Sequence, residues 1–148
     1  MMTTEELRGL DAEIAEKVMG FVSYTDTYYQ PPVRILFPPG MAARFNTDDA
    51  PGYTRGGGLC QWVPHYSTDI AAAWQVVLKM SSRGVVAVEE IGPYRGDDDG
   101  HANCAITLYG DEEEDPMMIM RAAETAPLAI CLAAIAVQTA PAAQPGGR

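Results

Sequence analysis

Lysine is nearly missing from this chain. Of ten basic residues only Lys17 and Lys79 are lysine, and eight are arginine (Arg8, Arg34, Arg44, Arg55, Arg83, Arg95, Arg121 and Arg148). Twenty acids leave a formal net charge of −10. A chain so poor in positive charge lacks the basic face that long nucleic acid requires, so that partner is excluded. Cysteine is scarce as well: Cys60, Cys104 and Cys131 are odd in number and have no ligand spacing. That excludes a disulfide framework and a zinc site, and leaves them as small apolar residues in a reducing compartment. Long hydrophobic runs are absent. The most apolar stretch, APLAICLAAIAV (126–137), has 12 residues, against roughly 20 for a membrane span. The acidic start MMTTEELRGLDAE has no basic end followed by an apolar run, as a secretory signal would. A cytoplasmic protein without membrane contact is expected.

What charge there is sits unevenly. Asp97-Asp98-Asp99 and Asp111-Glu112-Glu113-Glu114-Asp115 hold 8 of the 20 acids, leaving 12 acids against 10 bases elsewhere. Such runs read as solvated loops. The spacing in DDDGH fits no calcium loop, so no metal site is assigned. Arginine forks suit phosphates and carboxylates and stack on flat rings. A codon bias toward arginine, alanine and glycine explains their number equally well, so arginine content permits anion binding without diagnosing it.

Residue patterning marks the elements. Thr3 and Glu6 form a capping-box pair ahead of Leu7, Leu10, Ile14, Val18 and Phe21 at helical spacing, with Gly20 as the stop. From Phe21 to Pro64 the chain is irregular, with Tyr24, Tyr28, Tyr29, two Pro-Pro pairs and Gly56-Gly57-Gly58. There VRILF (33–37) alone reads as a strand, confined to an edge by its flanking prolines. Arg55 and the three glycines lack the lysine and spacing of a phosphate loop, and read as a loop tip. VVAVEEI (85–91) and ANCAITLYG (102–110) predict an antiparallel hairpin. Their weak alternation predicts a sheet covered on both faces, or partly so. MMIM adds a short strand or core. A buried last helix starts from Thr125 as cap, with Pro127 in its first turn. The expected architecture is α+β, a helix/antiparallel sheet/helix sandwich of three main helices around a small central sheet. It spans residues 1–140 as one domain, followed by a disordered tail, 141–148.

The stretch HYSTDIAAAW (65–74) places a histidine, a serine and an aspartate within five residues. A hydrolytic triad is recognised by geometry, and its members come from separated segments. Ser67 has a simpler role as helix cap, and Asp69 as an acid in the first turn. Ile70, Ala73, Trp74, Val77 and Leu78 then form one helical stripe, which puts Trp74 in the core. With the triad set aside, no catalytic constellation remains, and the protein is expected not to be an enzyme. His65 and His101 read as ordinary loop histidines.

Three stretches, LDAEIAEKVMGF, YSTDIAAAWQVVLKM and ETAPLAICLAAIAV, cover about a quarter of the chain. In that order and spacing they resemble the phage ABA sandwich domain, a bacteriophage and prophage family. The resemblance implies helices packed around an antiparallel sheet. The DEEED run and the long Tyr/Pro/Gly region depart from it. In size and layout the chain is also similar to viral sponges that sequester nucleotide second messengers, such as the Thoeris anti-defence proteins. That similarity implies a homo-oligomer in the cytoplasm of the infected host. It also implies a pocket for a small nucleotide-like ligand, with no cofactor, an aromatic ring for the base and arginines for the phosphates. The candidate ligand-binding residues are Tyr94 and Arg95 in the hairpin loop, Asn103 entering the next strand, and Arg121 just before the last helix near its positive end. Arg34 and Arg44, flanking the irregular region, complete the set. The alternatives are a phage accessory protein that binds a host or phage protein through its acidic loops, or a small phosphodiesterase using His65 and His101.

Overall fold

The computed structural model describes residues 1–26, 31–40, 59–91, 101–109 and 116–139. Among the described residues, three helices and two small antiparallel sheets make up the fold. In order they are α1 (Thr4–Lys17), β1 (Val22–Asp26), β2 (Val33–Phe37), α2 (Ile70–Met80), β3 (Gly84–Ile91), β4 (His101–Leu108), β5 (Met117–Ala123) and α3 (Ala126–Thr139). The α+β class and the three helices follow the sequence pattern. A second sheet does not, because β1 and β2 pair with each other and not with β3, β4 and β5.

Helix α1 begins as its residues dictate. The Thr3 hydroxyl accepts from the Glu6 amide (3.1 Å), and the Glu6 carboxylate accepts from the Thr3 amide (2.6 Å). Those reciprocal bonds hold the Glu6 carboxyl below its ordinary range. At the far end Gly20 takes a φ of 79°, a conformation open to glycine at little cost, and the chain turns into β1. VSYTD forms this strand against VRILF, pairing Val22 with Phe37 and Tyr24 with Ile35. The sequence signal for β1 is weak because its partner contacts supply the stability, including Tyr24 packed near Phe37 at 6.0 Å between ring centres.

Strands β3, β4 and β5 form a meander. Val88 pairs with Cys104 and Cys104 with Arg121, while Ile106 pairs with both Val86 and Ile119. Alternation sends Ala102, Cys104 and Ile106 into the core, where α3 packs on β4 and β5. Helix α3 also contacts α1 and α2, which explains an apolar surface nearly all round. Ala126, Ala129, Ile130, Cys131, Ala133, Ala134 and Val137 are all buried. The other face of this sheet carries Val85, Met118 and Met120, all exposed, so the described residues cover the sheet on one face only. Gly84 opens β3 where the Thr107 carbonyl passes so close that a Cβ would overlap it.

Helix α2 departs from its expected cap and its expected face. Asp69, not Ser67, is the N-cap, accepting from the Ala71 amide at 2.9 Å. The predicted stripe is split. Ala73 and Val77 are buried with Val76 and Met80, whereas Ile70, Trp74 and Leu78 are about half exposed. Trp74 is therefore not a core residue.

Ile130→Ala should cost about 2–5 kcal/mol, because a buried side chain on the most contacted helix leaves a cavity. Gly84→Ala should also destabilise, since the clash is with backbone. Urea unfolding followed by circular dichroism measures both, and an unchanged midpoint for Ile130→Ala would contradict this placement of α3.

Candidate functional site

Only three of the six residues expected at a ligand site lie in the described part of the chain. Tyr94, Arg95 and Arg44 lie outside it, as do both acidic runs and the Arg55–Gly58 loop. Arg34, on β2, donates to the Ser23 hydroxyl (2.7 Å) and forms an ion pair with Glu16 of α1. Its charge is already matched by an acid. Asn103 is half-buried on β4, opposite Ala122. Arg121 is exposed on β5 itself, not in the approach to α3, because the MMIM strand continues through Ala123. Register places it opposite Cys104, so Asn103 and Arg121 are near neighbours in the sheet but start from opposite faces. The Arg121 guanidinium donates to the Met120 carbonyl at 2.9 Å and has no ion pair among the described residues.

The densest polar cluster lies elsewhere, between α1 and the turn leading to α2. Asp11 is fully buried, although sequence reading saw only an apolar helix face there. One carboxylate oxygen accepts from the Ser67 amide (2.6 Å), and the other from Arg8 (2.7 Å). Arg8 in turn donates to the carbonyls of Cys60 (3.0 Å), Val63 (2.8 Å) and Pro64 (3.2 Å). The Ser67 hydroxyl reaches the Leu7 carbonyl at 3.4 Å. Every member is spent on backbone groups that burial would otherwise orphan. The spacing Arg8-x-x-Asp11 on one helix was the available signal, since i and i+3 residues are neighbours.

The same geometry answers the question raised by HYSTDIAAAW. Ser67 is buried and bonded to α1, Asp69 caps α2, and His65 is exposed, its carbonyl accepting from the amides of Thr68 and Asp69. No hydrogen bond links the three side chains, so they form a helix entrance and not a nucleophile with its base. His101 opens β4 in an exposed position. No cluster of three metal-ligating side chains occurs among the described residues.

Burial also sets the character of the remaining titratable groups. It pushes the Cys104 thiol up to about 11 and the Cys131 thiol higher still, where the Asp11 and Cys104 charges add to it. Burial pushes the Tyr66 phenol up to about 12, helped by the charges of Asp11 and Cys131. Burial likewise raises Cys60, partly offset by Arg8. These thiols are neutral in the native protein and poor nucleophiles.

Two cavities open near these elements. One of about 330 Å³ is lined by Met1, Met2, Glu6, Ala123, Glu124 and Leu128 among others. A smaller one of about 160 Å³ lies beside Glu13, Glu16 and Arg34. Both carry carboxylates in their walls, which disfavours an anionic ligand in either. No helix among the described residues is long and apolar enough to cross a membrane.

Asp11→Ala should destabilise the fold by roughly 3 kcal/mol, because Arg8 and the Ser67 amide lose a buried partner; a urea titration of the variant measures this. Alkaline stability follows from the raised groups. Cys104 and Tyr66 titrate higher in the folded chain than unfolded, so their contribution is complete below about pH 9. It is lost as pH rises through about 11 and 12. Unfolding midpoints measured from pH 7 to 12 should fall only above pH 9, and Cys104→Ala should soften the first part of that fall.

The comparisons with known proteins match these elements to one family. The model of the phage ABA sandwich domain aligns with residues 12–135, from the middle of α1 through most of α3. Searches of curated proteins and of solved structures find no match.

Proposed function

The chain belongs to the phage ABA sandwich domain family, and within that family we propose that it is a non-catalytic protein that binds and sequesters a small nucleotide-type immune signal of the host. The observation that carries this reading is the face of the β3–β4–β5 sheet that the described residues leave uncovered. Asn103 stands on it half-buried, with Met118 and Met120 exposed on the neighbouring strand. An apolar floor stacks against a base, and an amide reads its edge. Arg121 lies on the adjacent strand but starts from the opposite face, that of Cys104, so it is a weaker member of the set although it has no ion pair among the described residues. Tyr94 and Arg95, outside the described residues, belong in sequence to the segment between Ile91 and His101, the pair that closes β3 on β4. Arg34 is a weaker member of the set, because its guanidinium is committed to Glu16.

Binding without turnover fits the placement of the polar groups. Asp11, Arg8 and Ser67 are occupied by the fold, and His65, in the turn before α2, and His101, at the start of β4, have no partner among the described residues that would orient either as a base. The purified chain should be heated with a panel of cyclic dinucleotides, cyclic trinucleotides and cyclic ADP-ribose isomers, then denatured and the released ligand analysed. A raised melting temperature with intact ligand is expected, because a ligand bound only to the native state stabilises it by mass action. At a ligand concentration of about 100 Kd the stabilisation is about 2.7 kcal/mol. Asn103→Ala should reduce the shift, and Arg121→Ala, on the opposite face, should reduce it less. Recovery of altered ligand would make the protein an enzyme. The absence of any shift would favour a protein partner bound through the acidic runs.

A further inference from the structure

A cavity of about 330 Å³ opens where the start of α1 meets the corner between β5 and α3. Its size falls at the lower end of small-molecule sites, roughly 300–1,000 Å³. Apolar side chains make most of the wall. Leu128 and Leu132, one turn apart on α3, stay half-buried on a helix whose other apolar side chains are mostly sealed in the core. Met2 and Ala123 continue that hydrocarbon surface. The charge in the wall is of one sign, because its ionisable side chains are Glu6 and Glu124.

We propose that this cavity binds a small organic ammonium, a cationic head on a hydrocarbon body. Both carboxylates have capacity for the head. Glu6 accepts from the Thr3 amide through Oε2, and its other oxygen has no hydrogen bond among the described residues. The bond to the Thr3 amide holds the Glu6 carboxyl below its ordinary range and so keeps it ionised. Glu124 is exposed and has no hydrogen bond or ion pair among the described residues. The chain's own α-ammonium lowers Glu6 slightly as well, yet forms no ion pair with it. Positive charge is therefore favoured beside this carboxylate and is not yet supplied at contact distance.

The chemistry of the wall decides between kinds of cation. A calcium ion takes about six to eight oxygen ligands, and two carboxylates among leucine and methionine side chains do not supply them. An alkylammonium satisfies both halves of the site. Its head pairs with a carboxylate while its chain covers Leu128 and Leu132, as a lysine stem covers apolar surface. An anion meets two like charges in the wall, and the net charge of −10 repels it at longer range. The cavity is open to solvent, so each charge contact is screened, and the dissociation constant is on the order of 1 mM. Neither Asn103 nor Arg121 lines this cavity, so the inference stands apart from the nucleotide reading.

Titration of the full chain with n-hexylammonium, at neutral pH and constant ionic strength, tests this through the methyl resonances of isotope-labelled methionine. The amine is protonated under those conditions. The Met1 and Met2 methyls, in the cavity wall, should shift and saturate, whereas that of Met118, on the outer sheet face, should not. 1-Hexanol has the same body without the charge and should bind at least roughly threefold more weakly. Hexanoate should give no saturable shift. Glu124→Gln and Glu6→Gln should each raise the dissociation constant for hexylammonium roughly two- to fivefold. Glutamine still completes a capping box, so the fold survives the change at Glu6. In the double variant hexylammonium should bind no better than hexanol, with a thermal midpoint close to wild type. Absence of a saturable Met1 or Met2 shift up to about 20 mM, roughly twenty times the expected constant, would overturn the proposal. Equal binding of hexanol and hexylammonium by the wild type would overturn it too. So would a preference for the ammonium that persists in the double variant, because the attracting charge would then lie elsewhere.

Discussion

A buried carboxylate organises this molecule. Asp11 binds the Ser67 amide and the Arg8 guanidinium, and Arg8 distributes its remaining donors over three carbonyls between Cys60 and Pro64. Without that arrangement the turn from Leu59 to Asp69 would lie against α1 with unpaired backbone groups, at a cost of about 1–3 kcal/mol for each. With it, the turn is fixed, α2 starts at Asp69, and Ala73, Val76, Val77 and Met80 meet α3. The charges are affordable because each is paired and the arginine remains partly exposed, with 22% of its side-chain surface in solvent.

The order of elements was legible in the sequence wherever a local signal carried the physics. Thr3 with Glu6, Gly20 after α1, and Thr125 with Pro127 ahead of α3 are all local devices, and the structure uses each where the sequence places it. The β3–β4 hairpin was legible from its β-branched runs. What escaped depended on contacts between distant segments. VSYTD becomes a strand because VRILF lies beside it. Asp11 looks like a polar interruption until Ser67 arrives 56 positions later. Trp74 looks like core because periodicity shows that a helix has two faces but not how wide the buried one is.

The candidate site was legible in part, for the same reason. Residue chemistry pointed to Asn103 and Arg121, and both sit on the meander sheet. Their facing depends on strand register, which a sequence without its partner strand does not supply. Arg34 was attractive as an unassigned cation, and only the fold shows Glu16 beside it. The family match over residues 12–135 establishes kinship and leaves chemistry to individual side chains. Here the structural cluster and the exposed surfaces separate cleanly. The hydrogen-bonded interior around Asp11 maintains the fold, while the outer sheet face and the Ile70–Trp74–Leu78 ridge of α2 are exposed among the described residues.

The reach of the Arg8 clamp along the chain has a consequence for variation. Its bonds span 52 to 56 residues, and the Ser67–Leu7 bond spans 60. Closing a ring of that length costs an entropy that grows only with the logarithm of its size, about 0.6 kcal/mol for a full doubling. Residues between the two anchors are thus free to be inserted or deleted in number, provided the anchors still meet. The charge for a longer ring falls on time and not on equilibrium, because contacts distant in sequence form slowly. A lineage can therefore lengthen this part of the chain many times over before the native state is lost.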